Sequence, residues 1–215
     1  MLKVAKHWGI VNQKLPSTFP IVVLDGMDFA EFFALPEAQE AVYKTLKPLE
    51  MDLKLATASL VKAKTAIRKR MQWFRLYMRG FYMDSHWLVG LDVLPAPAAG
   101  PDEFLPPLVS TMFLWQMIAA EPPPVAGRRP VMPDGYTAVD FAAELAALEA
   151  EWDAVRRVKL SQTLARAELL VINTRAAAAV QAYGHAARSR LMPLDPLLDS
   201  IPRLWPVKQA PGEVA

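Results

Sequence analysis

The stretch between positions 53 and 83 is the part of the sequence whose residue types best suit binding. It contains eight Lys and Arg residues, five aromatic residues and no Asp or Glu. Cations interleaved with aromatic rings are typical of surfaces that bind single-stranded nucleic acid, and cations also attract anionic membranes. The alternative is that the rings face a core while the charges contact an acidic helix, and a net charge of only +2 favours it. The possible interaction surface comprises Lys62, Lys64, Arg68, Lys69, Arg70, Arg75 and Arg79.

Three histidines and several acidic clusters are the other residues that could do chemistry. His7, His86 and His185 lie far apart in the sequence, and a catalytic triad is recognised only by its geometry. A di-metal site in a helical bundle needs Glu-x-x-His motifs, and the sequence has none. We therefore interpret the acidic clusters as solvated helix faces. Their members are Glu37, Glu40, Glu50, Glu144, Glu149 and Glu151.

Several classes of site are excluded by composition. The chain has no cysteine, which excludes disulfides, zinc–thiolate sites, iron–sulfur clusters and cysteine nucleophiles. It has neither a Gly-x-Gly-x-x-Gly motif nor a P-loop, the usual sequence signals of phosphate-binding loops. We expect no metal and no cofactor.

Three tryptophans fall in segments without a clear helical pattern: Trp8, Trp87 and Trp205. Exposed tryptophans often anchor a protein partner. The alternative, which we favour, is that they attach irregular segments to the helices.

A heptad pattern predicts a long helix over about 36–83. Its apolar residues repeat in steps of four and three. The seam comprises Val42, Leu46, Leu49, Leu53, Ala56, Leu60, Ala63 and Ile67, and it continues through Met71, Phe74, Met78 and Phe81. Pro48 lies inside this run and removes one backbone hydrogen bond, so it should kink or divide the helix. We still expect one long element.

A second long helix is predicted over about 137–190. Thr137 and Asp140 resemble a capping box at its start, and no glycine or proline occurs from there to Tyr183. A second apolar line runs beside its main seam and predicts contact with more than one neighbour. That line comprises Leu160, Leu164, Val171 and Ala178.

The remaining segments are short or rich in proline. We expect residues 1–35 to be irregular, and residues 84–135 to form a connection whose short helix, from Glu103 or Leu108 to Glu121, packs on the long helices. Residues 191–215 form a proline-rich tail. The most apolar window, 108–120, is shorter than the ~20 residues of a membrane span. No secretory signal is recognisable, so the expected location is cytoplasmic by default and the chain is not transmembrane.

The distribution of charge predicts that the two long helices are antiparallel. The first helix opens acidic and closes basic, and so does the second, as the helix dipole favours. Antiparallel packing places each acidic half beside a basic half. The predicted fold is therefore all-α, an antiparallel coiled coil or helical bundle over 36–190.

Three short matches in the same order suggest an internal duplication. Asp25-Gly26 corresponds to Asp134-Gly135, and a Leu-Asp-x-apolar-Pro segment begins at both Leu91 and Leu198. Ala56-x-Ala58-x-Leu60 likewise corresponds to Ala165-x-Ala167-x-Leu169. A duplication would relate the long helices by a pseudo-two-fold axis.

The sequence favours a non-enzymatic structural or interaction protein, an elongated helical bundle that self-associates or binds a protein partner. Two helices cannot cover two apolar stripes each, and the mean hydropathy is +0.15. One alternative is an enzyme or small-molecule binder with a pocket between helices. The other is a nucleic-acid or anionic-membrane binder that uses Lys62 to Arg79, although the modest net charge makes nucleic acid the weaker expectation.

Overall fold

The computed structural model describes residues 1–15, 21–23, 27–82, 86–120, 132, 134–191 and 195–202. Five α-helices occur in this part of the chain: α1 (Leu2–Lys14), α2 (Phe29–Phe81), α3 (Pro101–Ala120), α4 (Ala138–Arg190) and α5 (Pro196–Asp199). A 3-10 helix (His86–Gly90) lies between α2 and α3. The described residues contain no strand, only an isolated bridge between Val23 and Met27. The all-α prediction is confirmed.

The helix α2 is one element of 53 residues, and it includes both Pro36 and Pro48. The helix therefore continues through Pro48, although proline lacks the amide hydrogen that an interior residue normally donates. It also begins seven residues earlier than predicted. The backbone amide of Glu31 donates to Asp28 Oδ1 at 2.8 Å, and the amide of Asp28 donates to Glu31 Oε2 at 3.2 Å. This reciprocal cap satisfies two amides and explains the earlier start.

The helix α4 also contains 53 residues. Its predicted capping box is present, because the Thr137 amide donates to Asp140 Oδ2 at 2.7 Å. The turn before it is the predicted Asp134-Gly135, where Gly135 has a φ of 80°, a conformation that glycine adopts without steric cost. Equal helix lengths agree with a duplication, which stays a prediction.

The chain divides into two compact units. The first unit contains residues 1–48 and 162–215, and the second contains residues 49–161. Both α2 and α4 therefore contribute one part to each unit.

In the first unit, α1 packs on parts of α2 and α4 around Trp8, which is fully buried. The indole ring stacks on Tyr183 at a centroid distance of 4.8 Å and lies 5.3 Å from Phe32. Farther along, Gln39 Nε2 donates to Asn173 Oδ1 at 2.9 Å. Rising residue numbers in α2 thus meet falling numbers in α4, so the helices are antiparallel in this unit.

The second unit is centred on α2 residues at the predicted heptad positions. Ile67, Met71, Phe74 and Met78 have no exposed surface. The prolines do not prevent α3 from packing on them as predicted, since the Phe74 ring stacks on Trp115 at 4.6 Å. Other buried residues of this core include Phe104, Leu108, Phe141, Leu145 and Leu148.

The antiparallel order also holds within the second unit. Ser59 Oγ donates to Glu151 Oε1 at 2.8 Å, and the guanidinium of Arg70 lies 4.3 Å from the centre of the Tyr136 ring. Residue numbers therefore rise along α2 as they fall along its partner segment, 136–151. Burial of the apolar seam stabilises this pairing far more than exposed charges do.

The predictions for the two ends of the chain were wrong about their secondary structure. Residues 1–35 are not irregular, because α1 occupies Leu2–Lys14 and α2 begins at Phe29. The helix α1 is short and contains Gly9, so its apolar face was a weak signal beside the long heptads. In the proline-rich tail, Asp195 caps the short α5 by accepting a hydrogen bond from the Leu197 amide. Residues 203–215 lie outside the described residues.

Candidate functional site

Two basic residues of the possible interaction surface bind the backbone of the connection before α3. Lys64 Nζ donates to the Ala99 carbonyl oxygen at 2.8 Å, and Arg68 Nε donates to that of Pro95 at 2.9 Å. Burial lowers the pKa of Lys64, whose ammonium also lies 4.6 Å from the Phe104 ring centre. We expected these charges to contact acidic residues of the second long helix. That expectation was wrong for both, because they fasten an extended segment instead.

Arg70 belongs to a polar network at the start of α4. Its Nη1 donates to Asp134 Oδ2 at 2.8 Å, and this contact lowers the pKa of Asp134. Beneath the guanidinium, the Tyr136 hydroxyl donates a short hydrogen bond to Glu144. Burial, followed by the bond to Glu144, raises the pKa of Tyr136. Arg70 is thus neutralised by a local partner.

Arg75 and Arg79 differ in their environments. Arg79 is exposed. Within the described structure, Nη1 of Arg75 is buried and has no hydrogen-bond partner. Desolvation and the nearby Arg79 lower the pKa of Arg75, and Asp92 partly opposes this effect.

Lys62 and Lys69 line a groove of about 740 Å³ in the second unit. We call its apolar lining residues the floor and its polar lining residues the rim. The floor comprises Ala66, Trp73 and Met132, and the rim comprises Lys62, Thr65, Lys69, Arg70 and Asp134. Both lysine side chains are exposed, so their ammonium groups are available to a ligand. This concave region is the candidate binding site that the basic stretch forms.

The three tryptophans singled out in the sequence lie in different environments. Trp8 lies in α1 and is fully buried, with Nε1 donating to the Ile21 carbonyl oxygen at 3.2 Å. It is therefore a core residue and is not available as an exposed anchor, the less favoured of the two expectations. Trp87 is half-buried against the core of the second unit. Trp205 lies outside the described residues.

His7 is buried among groups from α1, α4 and α5. Its Nε2 lies 3.0 Å from the Leu197 carbonyl oxygen and 3.0 Å from Ser200 Oγ, and its Nδ1 lies 2.6 Å from the Tyr183 hydroxyl. A carbonyl oxygen only accepts, so Nε2 carries a hydrogen, and in the neutral imidazole Nδ1 is then the acceptor for the Tyr183 hydroxyl. Nε2 then has no lone pair with which to activate Ser200. The arrangement resembles a catalytic triad in distances but not in proton placement.

The other two histidines are not brought to His7. His86 begins the 3-10 helix and contacts Trp87 with a ring-centroid distance of 4.4 Å. His185 is exposed on α4. Among the described residues, no three His, Asp or Glu side chains are grouped so that they could hold a metal ion.

The second apolar line predicted on α4 faces outward. In the first unit Leu164 is 62% exposed and Val171 is 65% exposed, and the adjacent Leu170 is 67% exposed. In the second unit Leu160 is 59% exposed. Ala178, the fourth residue of the predicted line, is half-buried, so three of its four residues are exposed in the described part of the chain.

Sequence reasoning missed the hydrogen bonds of His7. Its partners Tyr183 and Leu197 are 176 and 190 residues away, so no local spacing signals them. By contrast, Tyr136 and Glu144 are only eight residues apart, but nothing in that spacing distinguishes them from other polar pairs.

No family model, curated protein or solved structure matches this chain. None of the helices in the described part of the chain combines the length and apolar character that crossing a membrane requires.

Proposed function

We propose that this protein is a non-enzymatic helical interaction protein that self-associates through the outer face of α4 in the first unit. The observation that carries the proposal is the exposure of Leu164 and Val171, both above 60%. Removing such side chains from water is favourable by about 25 cal/mol per Å² of apolar surface. A helix that buries one seam and exposes a second one has a surface suited to another helix.

A second copy of the same helix suits this face. Leu164, Ala167 and Val171 follow steps of three and four, the spacing of a coiled-coil seam. An antiparallel pair about a two-fold axis would set Leu164 of one copy against Val171 of the other, twice. Ala167 lies between them and is small enough to let the helices approach. Such an interface uses the same patch on both copies, as two-fold symmetry requires.

The polar groups near Ser200 also support a structural role. The proton on His7 Nε2 is directed to the Leu197 carbonyl oxygen, and Ser200 Oγ donates to that same oxygen at 3.0 Å. The bond from His7 therefore holds α5 against α1, whereas the bond from Ser200 stabilises the end of α5 itself. Both contacts stabilise the packing of the first unit.

Light scattering coupled to size-exclusion chromatography tests the proposal. A single chain has a mass of 23.9 kDa, and we expect a larger mass at micromolar concentration. Introducing Leu164→Glu together with Val171→Glu should reduce the mass to that of one chain, since charges would enter the seam. Val139→Glu is the matched control, because Val139 is 76% exposed on the same helix but lies in the second unit.

Two results would contradict self-association through this face. One is a native mass equal to a single chain across the micromolar range. The other is a double variant that associates as strongly as the Val139→Glu control, which would assign the contact to another surface.

A further inference from the structure

The groove beside Lys62 and Lys69 combines an apolar floor with cations that no described carboxylate neutralises. We propose that it binds a small organic anion with a flat or aliphatic apolar body and a carboxylate or sulfonate head. This inference concerns the second unit and is independent of the self-association proposed for the first unit.

The floor of the groove is suited to the apolar part of such a ligand. The volume of about 740 Å³ falls within the roughly 300–1,000 Å³ of small-molecule sites. The Trp73 ring is held in place by stacking on Tyr77 at 5.2 Å and on Trp115 at 6.5 Å. Met132, another lining residue, is only 4% exposed, and its sulfur accepts from Arg70 Nη1 at 3.4 Å. The rigid Trp73 indole is therefore the lining group that favours a flat apolar partner.

The rim supplies the attraction for a negative head. Lys62 and Lys69 are seven residues apart, so they lie on one face of α2 about 10 Å apart along its axis. Neither lysine has an ion-pair or hydrogen-bond partner among the described residues. The third cation of the lining, Arg70, is neutralised by Asp134. The excess positive charge therefore belongs to the two lysines.

The same contacts favour a small anion over a nucleic acid. A nucleic-acid surface needs a track of free cations that follows the phosphates. Here Lys64 and Arg68, which lie between the two lysines in sequence, already donate to the Ala99 and Pro95 carbonyl oxygens. Among the cations that line the groove, Lys62 and Lys69 are therefore the two without a described carboxylate or carbonyl partner.

Isothermal titration calorimetry on the full chain with naphthalenesulfonate tests the assignment. Naphthalenemethanol supplies the same ring without the charge, and inorganic phosphate supplies charge without the ring. We expect the sulfonate to bind at least about tenfold more tightly than either. Lys69→Glu should weaken sulfonate binding by about tenfold or more, since a repelling carboxylate replaces an attracting ammonium.

Lys54→Glu is the matched control. It makes the same charge change at an exposed position of α2 in the same unit, outside the groove lining, and it should leave binding within about twofold of the native chain. Circular dichroism verifies that both variants fold. The assignment is overturned if Lys69→Glu binds like Lys54→Glu, or if naphthalenemethanol binds as tightly as the sulfonate. Equal binding of phosphate, or tighter binding of a single-stranded oligonucleotide that Lys69→Glu abolishes, would likewise replace it with a general anion surface.

Discussion

The Tyr183 hydroxyl donates to Nδ1 of His7 across 2.6 Å, although 176 residues separate the two in the chain. The same tyrosine ring stacks on Trp8, the residue after His7. One aromatic side chain of α4 therefore supplies both the apolar surface and the polar partner that α1 needs. This relationship positions the first helix within the first unit.

Tyr183→Phe tests the polar half of that relationship. The substitution keeps the ring but leaves Nδ1 of the buried His7 without a donor, which should lower the free energy of unfolding by about 1–3 kcal/mol. Urea denaturation followed by circular dichroism measures the change. Tyr43→Phe is the control, because Tyr43 is 51% exposed, and it should stay within about 0.5 kcal/mol of the native chain. Equal effects at both positions would show that the hydrogen bond contributes nothing.

Stability should fall at alkaline pH because buried tyrosines resist ionisation. Burial raises the pKa of Tyr183 and is the largest cause of the raised pKa of Tyr136. A pKa that is higher in the folded chain than in the unfolded one stabilises the fold below about pH 10, the ordinary tyrosine value. That contribution is lost as the pH rises toward the folded pKa.

The alkaline effect is measured as the urea midpoint against pH. Tyr183→Phe should show a shallower decline above pH ~10 than Tyr43→Phe, because it removes one of the shifted groups. Lysine deprotonation affects both variants alike, so the comparison isolates Tyr183. Parallel profiles would contradict the assignment.

The capping box of α4 should act only while Asp140 is ionised. Hydrogen bonds from Thr137 lower the pKa of Asp140. The folded-state pKa lies below the unfolded value of about 4, so the cap stabilises the fold above that pH and is lost as the pH falls further. Asp140→Ala should therefore destabilise the chain at neutral pH and much less near pH ~2.

Asp52→Ala is the comparison for the cap, since Asp52 is exposed within α2. Urea midpoints at both pH values are the measurement. A loss for Asp140→Ala that is the same at neutral and acidic pH would argue against a charged cap.

Replacing Arg75 should cost less than replacing Arg70. The buried Nη1 of Arg75 has no hydrogen-bond partner in the described structure, whereas Nη1 of Arg70 donates to Asp134. An apolar residue that removes an unsatisfied buried donor is often neutral or stabilising. We expect Arg75→Leu to preserve or raise the urea midpoint and Arg70→Leu to lower it. The reverse order would mean that Arg75 has a stabilising partner in solution.

The heptad residues show how much of the fold could be predicted from the sequence. Ile67 and Phe74 of α2 and Phe141 of α4 belong to the predicted apolar seams, and all three are fully buried. The spacing of apolar residues along one helix is enough to predict which of its side chains are buried. Ends and short helices were less predictable. The cap formed by Asp28 and Glu31 starts α2 before Pro36, and α1 has only 13 residues, too few for a long periodic pattern.

Of the candidate site, the sequence identified the basic residues but not their partners. Lys64 and Arg68 look like Lys62 and Lys69 in sequence, yet the first two donate to backbone carbonyl oxygens and the others line a groove. The difference depends on where residues 95–99 cross α2, and a charge pattern along one helix carries no information on that crossing.

The sequence by itself determined the helical class and the antiparallel order, and it located a second apolar line on α4, since each follows from spacing or charge along a single helix. That this line is mostly exposed is known only from the structure. The tertiary structure alone decided which lysines remain free and that His7 meets Tyr183. Those outcomes need distant segments to meet in space, and their contacts depend on packing between helices rather than on any local pattern.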